Sequence, residues 1–297
     1  MSTAVLSAAV LGLVSIIDSY LISQRMPSLR AFLLPVGIVI LAFAIVLLYL
    51  FPLPEDIGTW PLMVAVTSGI LRTTSIVILL YTLKREEVSR VVPLVSTYPV
   101  FVAIMAVPLL GETLYYLEWI AIIIVVAGAV MVSVKSNTGN SLAWLGRPFF
   151  FLIGSSLLMA MANITSKYAL AYMSPWNMYW ISALCISGIF LLISLRPRIL
   201  TELGNMKQRN SALTLLVFNE MLVVTAAVLL FWAMKRGPVS LVSTIISSRP
   251  IFVVIYALTL SRVSPTFLKW QSGKGMLALR LVAITMIASG IAIIYLT

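Results

Sequence analysis

Ten apolar runs follow one another along the 297 residues, near 4–23, 31–51, 61–83, 88–110, 115–134, 149–172, 176–195, 212–234, 238–260 and 277–297. A bilayer's hydrocarbon core is about 30 Å thick and needs roughly 20 apolar residues in helical form, which each run approximates. None shows the strict polar–apolar alternation of a barrel strand, and backbone groups in lipid must be satisfied within the segment. The pattern therefore predicts an all-α integral membrane protein with ten transmembrane helices and no room for a soluble domain.

Polar residues are concentrated in some runs and scarce in others. The first carries Ser15, Asp18, Ser19 and Tyr20, the third Thr67, Ser68, Arg72, Thr73, Thr74 and Ser75, and the fourth Ser96, Thr97 and Tyr98. The sixth holds Ser155, Ser156, Asn163, Thr165, Ser166 and Lys167. The eighth holds Asn219, Glu220 and Thr225, and the ninth Ser243, Thr244, Ser247, Ser248 and Arg249. Runs two, five, seven and ten have no charge in their middles. Polar groups within a membrane face the bundle interior or a wet cavity. Helices 1, 3, 4, 6, 8 and 9 are thus expected around a central cavity, with the other four outside.

That pattern repeats by half, and so does the sequence. Residues 84–109 and 235–260 align without a gap at an offset of 151, with identities that include Lys84/Lys235, Ser89/Ser240, Ser96/Ser247, Pro99/Pro250 and Phe101/Phe252. The predicted domains are 1–140 and 141–297, two five-helix repeats around the central cavity. Five spans is an odd number, so the second repeat must be inverted relative to the first. Related halves that rock about a shared site are the common build of a secondary transporter.

Composition agrees: 61% of residues are hydrophobic and only 10% charged. With no histidine and the single cysteine, Cys185, in an apolar run, neither a disulfide framework nor a Cys/His metal site is expected. The net charge of +11 is mostly a topology signal. The loops after helices 1, 3, 5, 7 and 9 hold fifteen lysines and arginines, against Lys235 and Arg236 on the opposite face. The positive-inside rule then puts those odd loops in the cytoplasm and both termini outside, and it removes the reason to read the charge as a nucleic-acid footprint. Trp60, Trp119, Trp144, Trp176, Trp232 and Trp270 lie near predicted span ends, as interfacial belt residues do.

Five ionisable residues fall within spans: Asp18, Arg72, Lys167, Glu220 and Arg249. Each costs about 2.5–3.5 kcal/mol at the bilayer centre on insertion scales, so each is a candidate for function. Ser68 and Arg72 share one helical face, as do Asn163 and Lys167. Lys167 is near enough to a span end to snorkel. Arg72 and Glu220 occupy neighbouring turns of equivalent helices and are expected to approach each other, either as a structural pair or at the site. Three cations against two anions leave one positive charge for an anionic or zwitterionic ligand, and arginine's planar fork suits a carboxylate or phosphate. The candidate substrate-binding residues are Arg72, Arg249, Tyr98, Asn163, Lys167, Glu220 and Ser68. Asp18 and Glu220 are the candidate proton-coupling groups, since a carboxyl group in a low-dielectric interior can take up and release a proton. Pro99 and Pro250 are expected to kink helices 4 and 9 at mid-span. Gly128 and Gly290 are read as close-packing glycines.

The segment YTLKREEVSRVVPLVSTYPVFVAIMAVPLLGETLYYLEWIAIIIVVAGAVMV resembles the EamA-type branch of the drug/metabolite transporter superfamily, through Pro99, Gly111, Glu112 and Gly128 in that order. The resemblance spans nearly the whole chain. It implies an export or exchange carrier for small metabolites, with a cavity lined by helices 1, 3, 4, 6, 8 and 9, in a prokaryotic plasma membrane. Two features depart from the pattern. The second copy has Arg262-Val263 where Gly-Glu would stand, followed by the insertion SPTFLKWQSGK, and the charge count reverses the family's usual cytoplasmic termini.

The function expected from these observations is secondary active transport, by alternating access, of small polar metabolites such as amino acids or organic anions. The alternative is a flippase of the same fold acting on lipid head groups or lipid phosphates. A membrane enzyme is disfavoured because no nucleophile–base pair stands out by type. Ser272-Gly273-Lys274-Gly275 lacks the spacing of a phosphate-binding loop, so ATP-driven transport is disfavoured too. No cofactor, metal or nucleic acid is expected; membrane lipid and the substrate are the partners.

Overall fold

The computed structural model describes residues 1–83, 94–133, 147–206, 208–263 and 274–296, all helix or short connection, with no strand among them. The helices are α1 (Ser2–Tyr20, prolonged by a π-helical turn at Leu21–Arg25), α2 (Leu29–Leu50), α3 (Thr59–Leu83), α4 (Tyr98–Leu110), α5 (Tyr116–Ser133), α6 (Arg147–Ala169), α7 (Pro175–Ser194), α8 (Pro197–Gly204), α9 (Arg209–Arg236), α10 (Val239–Ile246), α11 (Arg249–Val263) and α12 (Lys274–Leu296). The link at 84–93, the segment 134–146 with Trp144, and residues 264–273 of the insertion with Trp270 lie outside the described residues.

Among the described residues, seven helical segments are long and apolar enough to cross a membrane, the last being Val239–Ala257. Tyr98–Leu110, Tyr116–Met131 and Leu281–Leu296 are shorter apolar helices. The chain is an integral, multi-pass membrane protein.

Two predicted helices are in fact discontinuous. The run 88–110 turns at Ser96–Thr97 and the run 238–260 turns at Ser247–Ser248. Contrary to the expectation from sequence, the prolines do not kink helices from inside. Each stands in the first turn of a restarted helix, Pro99 in α4 and Pro250 in α11, where its missing N–H has no partner to lose. The short helix α8 was not expected. It begins at Pro197, buries Ile199 and is tied to α2 by Ser28, whose hydroxyl donates to Glu202 at 3.0 Å.

The helices pack in pairs: α3 on α6, α5 on α12, α2 on α7, and α1 on α9, with α10 against α4. Helices α2 and α7 are the surprise. Just over half of each span is buried, more than α1, α3 or α9, because an apolar helix is readily covered by another apolar helix. Polarity marks where water or ligand lies, whereas burial also counts contact between apolar neighbours. The α5–α12 pair is drawn together at two glycines. A Cβ on Gly128 would meet Ile287 Cγ1 at 2.7 Å, and one on Gly290 would meet Val125 Cγ2 at 2.5 Å. Both act as the packing glycines expected, since a small residue lets backbones approach where no hydrophobic force separates helix from lipid.

Candidate functional site

The two helix breaks have the same local chemistry, and Tyr98 at the first reaches Ser243, one turn before the second. Thr97 donates its hydroxyl to Leu94 O at 2.6 Å, and Ser248, its equivalent in the second half, donates to Ile245 O at 2.6 Å. Each hydroxyl satisfies a carbonyl that a continuing helix would have used, which is how a broken helix is tolerated inside a membrane. Ser247 N–H is shared between Ser243 O at 3.2 Å and Thr244 O at 3.1 Å. The residues that restart the two helices are different: Tyr98 in the first half and Arg249 in the second.

Around these breaks the structure gathers five of the sequence-predicted residues and joins four of them, Ser68, Arg72, Asn163 and Tyr98, in one hydrogen-bonded chain. Ser68, buried on α3, donates to Ala162 O at 2.8 Å and lies 2.6 Å from Ser166 Oγ. Arg72 Nη2 donates to Ser166 Oγ at 3.3 Å and to Asn163 Oδ1 at 3.0 Å, while Nη1 rests on Met159 Sδ at 3.8 Å. Asn163 Nδ2 passes the chain to Ser243 Oγ at 3.2 Å, and the Tyr98 hydroxyl donates to Ser243 O at 3.3 Å. The Arg72 guanidinium also sits 5.5 Å from the Phe231 ring centroid, within cation–π reach. Arg249 is the fifth, and Tyr98 lies within the field of both arginines.

Arg249 is held differently from Arg72. Its Nε donates to Ser15 Oγ on α1, and its Nη atoms make no hydrogen bond to a described residue. Asp18, one turn further along α1, acts on Arg249 electrostatically, but neither arginine forms an ion pair among the described residues. Asp18 is fastened instead by Asn219, whose Nδ2 donates to Oδ1 at 2.8 Å. Among the described residues, Asn219 Oδ1 and Arg72 Nε are buried and find no hydrogen-bond partner.

Two expectations need correction. Arg72 and Glu220 do not pair. The Arg72 fork is occupied by Asn163 and Ser166, whereas Glu220, 4% exposed and without a hydrogen bond to a described residue, has Asp18 and Tyr179 as its electrostatic neighbours. The repeat offset gives the turn on which a residue sits but not the direction in which its side chain leaves the helix. Lys167 also departs from the cluster. Its Nζ donates to Met234 O and to Gly237 O, the latter at 2.8 Å, capping the C-terminal carbonyls of α9. A cation one turn from a span end reaches free carbonyls there more readily than the bundle centre.

Ser15, Ser166, Asn219 and Ser243 belong to the cluster but are absent from the sequence-predicted set. Helical spacing could have found two of them: Ser15 is three residues before Asp18, and Ser166 is three after Asn163. Among the described residues no group of three His, Cys, Asp or Glu side chains could hold a metal ion.

The chain is thus a multi-pass helical membrane protein with polar groups collected at two helix breaks. The sequence profile of the EamA-like transporter family, within the drug/metabolite transporter superfamily, matches residues 1–134 and 147–296, and the chain belongs to that family. A solved crystal structure shares its fold over 99% of this chain and 94% of its own, with a TM-score of 0.72 and 16% sequence identity. No curated protein gives a significant match.

Proposed function

We propose that this chain is a secondary active transporter in the plasma membrane of a prokaryote, moving a small anionic or zwitterionic metabolite such as an amino acid or organic anion by alternating access. The architecture proposed is ten spans in two inverted five-helix halves, 1–140 and 141–297. The packing pairs support it: exchanging the halves converts α1 on α9 into α6 on α3 and leaves α2 on α7 and α5 on α12 unchanged.

The observation that carries the substrate reading is Arg249. It stands at a mid-span break, half-buried, with Nε fixed by Ser15 and its outer fork unused by any described residue. A carboxylate is the complementary ligand, because the planar guanidinium presents paired donors. Tyr98, its hydroxyl donating to Ser243 O, and Arg72, already saturated on one nitrogen by Asn163 and Ser166, shape the wall. Asp18 lies within the field of Arg249 and Glu220 within that of Asp18, so the two carboxyl groups are the candidates to meet an ammonium group or carry a transported proton, and Asn219 keeps Asp18 in place. Proton coupling follows from that arrangement as a reading of the same cluster.

The deciding test is flux into proteoliposomes across amino acids, organic anions and sugar phosphates, for the parent and Arg249→Leu. Loss of flux with retained folding is expected; full transport by Arg249→Leu would remove Arg249 from the site. Movement of a labelled lipid head group, with no flux of any soluble solute, would replace this reading with that of a flippase. Flux indifferent to collapse of a pH gradient would argue for exchange or facilitated flow.

A further inference from the structure

Where α4 ends, Gly111 adopts φ +66 and reverses the chain, and Glu112 follows immediately. Its carboxylate reaches into the other half of the protein. Oε1 accepts from Val239 N, and Oε2 accepts from Ser240 N at 3.3 Å and Ser240 Oγ at 2.6 Å. These are the first amides of α10, which lack helical acceptors and carry the positive end of the helix dipole. Behind them, Lys167 holds Met234 O and Gly237 O, the last carbonyls of α9. The Gly237–Pro238 link is therefore gripped from both sides, by an anion on its amides and a cation on its carbonyls.

What the grip holds is a rigid lever. All eight residues of α10 are buried, and at 1.5 Å per residue it runs about 12 Å from Glu112 to the Ser247–Ser248 break. At that break stands Arg249. The equivalent of Glu112 at the repeat offset is Val263, which has no acceptor, so the second half offers no matching carboxylate for the first.

We propose that Glu112 is a positioning residue of the transport cycle: it locks the head of α10, and through α10 the placement of Arg249, and its release lets this end of the carrier open. The inference rests on the alternating-access reading, but it is tested without a substrate. Tyr115 and Tyr172, both exposed, lie on the connections that follow α4 and α6 at the same end. Spin labels at Tyr115→Cys and Tyr172→Cys, in the full chain with Cys185→Ala in proteoliposomes, report the distance between the halves there.

Glu112→Gln and Glu112→Ala should raise the longer-distance population about tenfold, the effect of losing a charge-assisted contact, and Glu112→Asp should restore most of the parent distribution. Flux of a radiolabelled amino acid or dicarboxylate by Glu112→Gln should change in maximal rate while KM moves less than about threefold, since the residue touches no substrate. A lowered melting temperature with an unchanged distance distribution overturns the proposal and makes Glu112 a structural cap. A shifted distribution in a protein that moves no solute leaves Glu112 as the lock and sinks the transporter reading instead.

Discussion

The two helix breaks share a backbone and differ in the residue that follows. At both, a proline opens the restarted helix, and a hydroxyl one residue before that helix donates to the carbonyl three residues back at 2.6 Å. The first half then presents Tyr98, whose hydroxyl is spent on the opposite break at Ser243 O, and the second presents Arg249, whose outer nitrogens find no described partner. The shared part is a solution to a backbone problem, which any substrate would require. The unshared part is charge, and it points to what the substrate must supply.

The sharpest way to break that comparison is Arg249→Leu. A bidentate charged contact contributes on the order of 3 kcal/mol, so transport should fall about 100-fold at subsaturating substrate, measured as initial flux. Arg249→Lys should recover only part of it, because a point charge cannot replace the fork. Next comes Arg72→Leu, which leaves Asn163 Oδ1 and a share of Ser166 unsatisfied in a buried wall. Destabilisation of about 1–3 kcal/mol is expected, seen as a lower melting temperature of the purified protein. If Arg72→Leu melted like the parent yet lost all binding, the roles assigned to the two arginines would have to be exchanged.

Smaller effects test the equivalence of the breaks. Thr97→Val and Ser248→Ala each remove one hydroxyl–carbonyl bond and should cost about 0.5–1.5 kcal/mol, similar in size to each other. A much larger loss at one of them in thermal unfolding would show that the breaks carry unequal load. Tyr98→Phe should have the mildest consequence. Losing a 3.3 Å bond to Ser243 O should leave stability nearly unchanged and alter substrate KM by no more than about threefold.

The helical, multi-pass character of the chain was legible from the apolar runs, because lipid forces each span to be long, apolar and helical. The ungapped likeness of 84–109 to 235–260 marked two related segments, and the family profile matches the chain in two stretches, 1–134 and 147–296. The candidate residues were chosen as polar groups that ought not to be in lipid; Arg72, Asn163, Ser68 and Tyr98 do share one hydrogen-bonded chain, with Arg249 in the field of Tyr98. The same reasoning placed Lys167 with them, since a single sequence does not separate a charge that faces a ligand from one that caps a helix end. It also paired Arg72 with Glu220, where a Coulomb argument has no access to side-chain direction.

By itself the sequence determined that this is a multi-pass helical membrane protein with an internal sequence repeat, that five ionisable residues are placed within apolar runs, and that a proline stands at matching positions in the fourth and ninth runs. These follow from local rules, namely the length of an apolar run, the missing N–H of proline, and the cost of a buried charge. Only the tertiary structure decided that the prolines restart helices after serine and threonine turns, that Asn163 and Ser166 absorb Arg72, and that Glu112 reaches across to cap α10. Each of those depends on groups from distant segments arriving within about 3 Å of one another with the right orientation, and that is set by how helices pack.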